Sequence, residues 1–142
     1  MTNLVVDSSV VVKWFVHETL SAEAMAILDG FQAGYWEFLA PDLLHAEIGN
    51  IAWKKHVLRG LPAADANRIV TSFRRIPFTL TSTADLLEDA YGLAVQYQRS
   101  VYDMLYVALS RRERCSFVTA DEKLANSLKD RIPSVSWLGN WS

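Results

Sequence analysis

Short runs rich in β-branched and aromatic residues alternate with segments of helical period along the whole chain, and this alternation constrains the fold more than any other feature. Asn3-Leu4-Val5-Val6-Asp7, Tyr35 to Ala40, Phe78-Thr79-Leu80, Ser116 to Ala120 and Val135 to Leu138 read as strands. Between them, helices are predicted over Ser8 to His17, from Ser21 with Met25, Leu28 and Phe31 inward and Gly30 and Gly34 near its end, from Pro41 to Gly60, and from Pro62 to Arg74-Arg75 with Ile69, Val70 and Phe73 inward. Three more are predicted over Thr83 to Tyr97 with Leu86, Leu87 and Ala90 inward, over Ser100 to Arg112, and over Glu122 to Asp130. Strands separated by helices pair in parallel through crossovers, so an α/β fold with a largely parallel sheet covered on both faces is expected. In such folds ligands sit beyond the carboxyl ends of the strands, where loops enter helices. Chemistry is therefore sought at that edge.

With 142 residues, 51% of them hydrophobic and 21% charged, the chain reads as one domain over residues 1–142 with a substantial core. A single cysteine, Cys115, excludes an internal disulfide framework and a multi-cysteine zinc cluster. No apolar run approaches the roughly 18 residues of a membrane span. The run after Met1 is broken by Asp7, Ser8, Ser9 and Lys13, so no secretory signal is expected and the chain reads as cytoplasmic. Fourteen Lys and Arg against sixteen Asp and Glu give a formal charge of -2. That total argues against a broad nucleic-acid-binding face, unless some of the acids are gathered in one site.

Four acids stand in informative places. Asp7 ends the first predicted strand and Asp121 follows Phe117-Val118-Thr119-Ala120, both at the edge where ligands bind; each also fits a helix N-cap. Asp103 opens an otherwise apolar helix, where Ser100-Val101-Tyr102-Asp103 fits a capping box as well. Glu47 lies inside its helix beside Leu43, Leu44 and Ile51, so capping does not explain it. A carboxylate there must be ion-paired, protonated or bound to a cation. Taken together, four clustered carboxylates repel one another and take up protons unless a cation compensates. Magnesium or manganese suits an all-oxygen set, polarises a phosphoryl oxygen and activates water, which makes phosphodiester hydrolysis the natural reaction class. Without these four acids the balance becomes 14 cations against 12, so a nucleic-acid substrate is not excluded.

The chain carries no Gly-rich phosphate loop, nucleophile elbow or metal-spaced His pair. His17, His45 and His56 read as exposed or locally bonded, and Cys115 as a small core residue. Lys13, six residues after Asp7, is a candidate contact for a substrate phosphate, with solvent exposure the alternative.

Val5-Val6-Asp7-Ser8-Ser9-Val10-Val11, Pro41 followed by Glu47, Tyr102-Asp103 opening an Ala/Leu-rich helix, and Val118-Thr119-Ala120-Asp121 together resemble the PIN-domain family, and within it the small VapC-type toxins of toxin–antitoxin pairs. The resemblance spans nearly the whole chain. It implies a three-layer α/β/α domain with a five-stranded parallel sheet and a magnesium- or manganese-dependent endoribonuclease. It further implies Asp7 and Asp103 as primary metal ligands, Glu47 and Asp121 completing the acidic pocket, and Ser9 and Thr119 as hydroxyls that orient an acid, for which turn chemistry is the alternative. A homodimer and a cognate antitoxin partner are also implied. Some relatives carry a further acid about a turn after the last Asp; here Leu124 and Ala125 occupy that turn, which leaves a second metal position without that ligand. Two other classes stay open at this point. One is a phosphoacceptor signalling domain, and the other is a PIN-like module that binds RNA or protein without catalysis.

Overall fold

The computed structural model describes residues 2–141, so Met1 and Ser142 lie outside it. In chain order the elements are β1 (Thr2–Val6), α1 (Ser8–Val11), a 3-10 turn (Val12–Trp14), α2 (Ser21–Gln32), β2 (Trp36–Pro41), α3 (Leu43–Val57) and α4 (Ala63–Arg74). Then follow β3 (Thr79–Thr81), α5 (Thr83–Tyr97), α6 (Val101–Arg112), β4 (Ser116–Thr119), α7 (Glu122–Leu128), β5 (Val135–Trp137) and a last 3-10 turn (Leu138–Asn140). The strands form one parallel five-stranded sheet in the order β3-β2-β1-β4-β5, sandwiched between helices as a three-layer α/β/α fold. No helix among the described residues is long and apolar enough to cross a membrane.

This order has a functional consequence. From β1 the chain steps outward to β2 and β3, then returns to the other side of β1 to lay down β4 and β5. The direction of winding therefore reverses between β1 and β4, and the carboxyl ends of these two strands are where sheets of this kind place their ligand sites. Val6 at the end of β1 is in register with Val118, and Thr119 with Trp137 of β5.

The core explains why α6 is apolar all round. Met104 through Ser110 are buried without interruption, because α6 packs across β1, β2 and β4 rather than on one flank. On β1, Leu4, Val5 and Val6 are likewise buried, as expected for a central strand covered on both faces.

Four expectations need correction. The segment after β1 is not one helix to His17; α1 ends at Val11 and a 3-10 turn takes Val12 to Trp14. A regular α-helix turns only one stripe inward, whereas Val10, Val11, Val12 and Trp14 are all buried, with the Trp14 indole stacked 5.1 Å from Phe38 and its Nε1 donating to the Ala24 carbonyl at 2.8 Å. Of the residues expected inward on α2, Leu28 and Phe31 pack partly buried against the core, Phe31 stacked on Phe38, but Met25 is exposed, and the fully buried positions are Ala24, Ile27 and Gly30. The ring of Trp36 on β2 fills the space beside Gly30: its Nε1 donates to the Ile27 carbonyl at 3.0 Å, and the ring lies where a Cβ on Gly30 would fall. Pro41 closes β2, paired with Thr81, instead of opening α3. Val70 and Leu87 face outward, because Ile69 with Phe73 and Leu86 with Ala90 already form the inward stripes of their helices.

Candidate active site

Asp7 follows β1 directly and is 8% exposed. Its backbone carbonyl accepts the amides of Val10 and Val11, which starts α1, but its side chain makes no capping bond. Both carboxylate oxygens are instead held by hydroxyls. Ser9 Oγ donates to Oδ1 at 2.5 Å and Thr119 Oγ1 donates to Oδ2 at 2.7 Å. Each hydroxyl in turn accepts a backbone amide, Ser9 from Ala120 at 2.9 Å and Thr119 from Asp121 at 3.1 Å. A hydroxyl that accepts from an amide directs its single proton away from it. Two amide–hydroxyl–carboxylate relays thus converge on Asp7, and β4 and the loop after it are stitched to β1 through this one side chain.

Burial nevertheless dominates the charge state. It pushes the Asp7 carboxyl up to about 6, against the hydroxyls of Ser9 and Thr119 and the Val10 amide, with the nearby Asp103 charge adding to the rise. Glu47, on α3, is also raised by burial; Tyr106 and Ser8 hydroxyls oppose the rise and the charges of Asp7 and Asp103 reinforce it. Asp103, in the first turn of α6, is raised by burial and by Asp121, with Ser100 and Arg99 pulling the other way. These mutual effects link Asp7 with Glu47 and Asp103, and Asp103 with Asp121.

The capping alternatives separate cleanly. The Asp121 side chain does cap α7, accepting the Leu124 amide at 3.1 Å on Oδ1, and the residue is exposed. At α6 the cap is the Ser100 hydroxyl, which accepts the Asp103 amide at 3.1 Å. Asp42, another acid at this sheet edge, is accounted for structurally: it accepts the Thr83 amide at 3.0 Å and the Thr83 hydroxyl, which hold its carboxyl below the usual range.

Among the described residues no lysine, arginine or histidine forms an ion pair with Asp7, Glu47, Asp103 or Asp121. Nor do three His, Cys, Asp or Glu side chains among them close into a ready-made metal cage. Lys13 is committed elsewhere; its ammonium lies 3.1 Å from Glu18, whose other oxygen is 3.7 Å from Lys55, and only 11% of the Lys13 side chain is exposed. His56 bonds locally to the Leu61 carbonyl at 2.7 Å, His45 packs edge-on against Phe73, and Cys115 is half-buried against the core.

One residue at this edge escaped the sequence reading. Tyr106, buried on α6, donates its hydroxyl proton to Glu47 Oε1 at 2.5 Å and stacks on Phe117 of β4 with centroids 5.6 Å apart. Burial and the charges of Glu47, Asp7 and Asp103 raise its pKa, so the phenol stays protonated and can only donate toward Glu47. The available signal is its spacing: three residues after Asp103, it shares a helix face with that acid.

Comparison with known proteins agrees with this architecture. Residues 4–127 match the family model described as PIN domain. Ribonuclease VapC3 of Pyrobaculum aerophilum is 33% identical over 125 residues, covering 86% of this chain and 92% of that protein. VapC ribonuclease Mb0985 of Mycobacterium bovis and Ribonuclease VapC9 of Mycobacterium tuberculosis are each 30% identical over 93 residues, covering 66% of this chain and 72% of theirs. Among solved structures, PAE2754 from Pyrobaculum aerophilum superposes with a TM-score of 0.67 at 19% identity, covering 97% of this chain and 90% of that one, a likeness of fold. The chain belongs to the PIN-domain family, in the company of VapC-type relatives.

Proposed function

We propose that the chain is a magnesium- or manganese-dependent endoribonuclease, with Asp7, Glu47, Asp103 and Asp121 as its acidic centre. The observation that carries this reading is the placement of Asp7: buried at the winding reversal, gripped through both oxygens by hydroxyls, and facing Glu47 and Asp103 with no ion-pair partner among the described residues. A protein gains nothing in stability from such an arrangement, since uncompensated buried carboxylates cost several kcal/mol or take up protons.

The donor set fits a hard divalent cation. It is all oxygen, and an ion of this type needs one or two direct carboxylates, with water completing the shell. Asp7 and Asp103 would be its direct ligands, and Glu47 and Asp121 would act directly or through water. Once bound, such an ion polarises a phosphoryl oxygen and lowers the pKa of a coordinated water. The residues then divide the remaining work. Ser9 and Thr119 fix the Asp7 carboxylate in one orientation and favour its charged form. Glu47, with one oxygen held by Tyr106, keeps the other to orient or deprotonate the attacking water. Asp121 adds negative charge at the rim while capping α7.

The VapC relatives support extending the reading to the toxin of a type II toxin–antitoxin pair, acting in the cytoplasm as a homodimer and held in check by a cognate antitoxin. Titrating magnesium and manganese into the purified protein with a mixed RNA pool tests the activity. Metal-dependent cleavage that a chelator stops is expected; RNA left intact at every metal concentration would rule the reading out.

A further inference from the structure

Arg99, in the turn between α5 and α6, is held in an unusual way. Its Nε donates to Ser127 Oγ at 3.1 Å and its Nη2 donates to the Lys123 carbonyl at 3.0 Å, which fixes the guanidinium on α7. Both partners are neutral, and no carboxylate forms an ion pair with it among the described residues. Fastening the turn to α7 needs hydrogen-bond donors but not a positive charge, so the charge is surplus to the structural role. A guanidinium has five N–H donors, and the two bonds leave others free.

Its location gives the surplus a use. The next residue, Ser100, caps the helix that presents Asp103, and α7 is the helix that Asp121 caps. Arg99 therefore lies between the elements that carry two of the acids, close enough to Asp103 to oppose the rise that burial and Asp121 cause in its pKa. Two further cations flank it: Lys123 is exposed on α7, and the Arg131 guanidinium lies 5.7 Å from the ring of Tyr97, at the end of α5.

We propose that Arg99 is the anchor of a phosphate subsite beside the acidic centre, binding the RNA backbone next to the bond that is cut, with Lys123 and Arg131 continuing the track. This rests on the ribonuclease reading above. A polyanion approaching four carboxylates needs a fixed cation at their border, and an arginine already immobilised on neutral acceptors loses little side-chain freedom on gripping a phosphate oxygen. Charge-assisted bonds of this kind are the strong ones.

The test measures binding apart from cleavage. In EDTA, the affinity of a fluorescein-labelled single-stranded RNA is followed by anisotropy across a range of KCl concentrations, for the parent, Arg99→Gln, Arg99→Lys and Arg114→Gln. Arg99→Gln places an amide NH2 near the position of Nε, so it keeps a donor for Ser127, but it is too short to reach the Lys123 carbonyl and it removes the charge. It is expected to bind about tenfold more weakly and to flatten the log–log salt dependence by about 0.7, the share of one phosphate in a single strand. Arg99→Lys should stay within about threefold of the parent, and Arg114→Gln, beyond the far end of α6, should match it. In magnesium, Arg99→Gln should raise KM with kcat nearly unchanged. A parent that does not bind RNA, an Arg99→Gln protein with parental affinity and slope, or an Arg99→Lys protein as weak as Arg99→Gln would overturn the subsite. A parent that binds RNA but cuts none with either metal would overturn the ribonuclease reading instead.

Discussion

The Tyr106 phenol donates to Glu47 Oε1 at 2.5 Å, so a helix across the sheet centre fixes an acid on α3. Removing only the hydroxyl, by Tyr106→Phe, keeps the ring stacked on Phe117 and frees Glu47 to rotate. Partners of metal-site residues are commonly worth about 10–100-fold in metal affinity or activity. Manganese binding followed by electron paramagnetic resonance should weaken within that range, while the circular dichroism spectrum is unchanged. Parental manganese affinity would show that Tyr106 is a packing residue only.

Asp7 gives the metal-free protein an unusual pH dependence. Its folded pKa, about 6, lies above the ordinary aspartate value of 3.8, so the folded state holds the proton more tightly than the unfolded chain. Stability therefore falls as pH rises between about 4 and 6, by about 3 kcal/mol once the shift is fully expressed. Urea melts in chelator should show the parent weaker at pH 7.5 than at pH 5. Asp7→Asn should flatten that slope and be at least as stable as the parent at pH 7.5. A parent that gains stability over this interval would mean that Asp7 is not buried in charged form.

Thr119→Val removes the donor to Asp7 Oδ2 and the acceptor for the Asp121 amide while keeping the side-chain shape. Hydrogen bonds to the charged form favour it, so their loss raises the Asp7 pKa further. The acid limb of the cleavage–pH profile should move to higher pH, with metal affinity at pH 7 weaker by about tenfold. An unmoved acid limb would count against the relay.

Gly30→Ala tests a packing contact remote from the acids. The added Cβ would fall 2.1 Å from Trp36 Cζ2, and Trp36 is tied to the Ile27 carbonyl. The better helix former should therefore destabilise the protein by about 1–3 kcal/mol in thermal melts. A rise in Tm would show that the indole moves aside freely.

Where sequence and structure diverge, the cause is tertiary. The acids at the sheet edge were legible because Asp7 and Asp121 follow apolar strands and Glu47 interrupts an apolar helix face. Thr83–Tyr97 was legible to the residue from its spacing. Tyr106 was not, since an aromatic residue in a buried helix reads as core until its hydroxyl is seen to meet Glu47. The inward face of α2 is only partly legible for a related reason. Apolar spacing favours Met25, Leu28 and Phe31; Leu28 and Phe31 do pack against the core, but Trp14 and Trp36, from the elements on either side of α2, bury the face of Ala24, Ile27 and Gly30 most deeply and leave Met25 exposed. Pitch changes such as the one after Val11 likewise follow from what must be buried on all sides, which local periodicity does not encode. Arg99 was invisible for the opposite reason: a charged residue in a turn is unremarkable until its neutral partners on α7 are known.

The most direct measurement compares cleavage of a mixed RNA pool by the parent and by Asp103→Asn across a magnesium and manganese titration, with thermal melts on the same samples. Asp103 is half-buried and sits after a cap formed by Ser100, so the neutral amide should leave the fold intact. The expected result is metal-dependent cleavage and metal-raised Tm in the parent, and loss of both in a folded Asp103→Asn protein. A folded Asp103→Asn protein that cuts RNA as fast as the parent, at the same metal concentration, would contradict an acidic metal centre at this edge of the sheet.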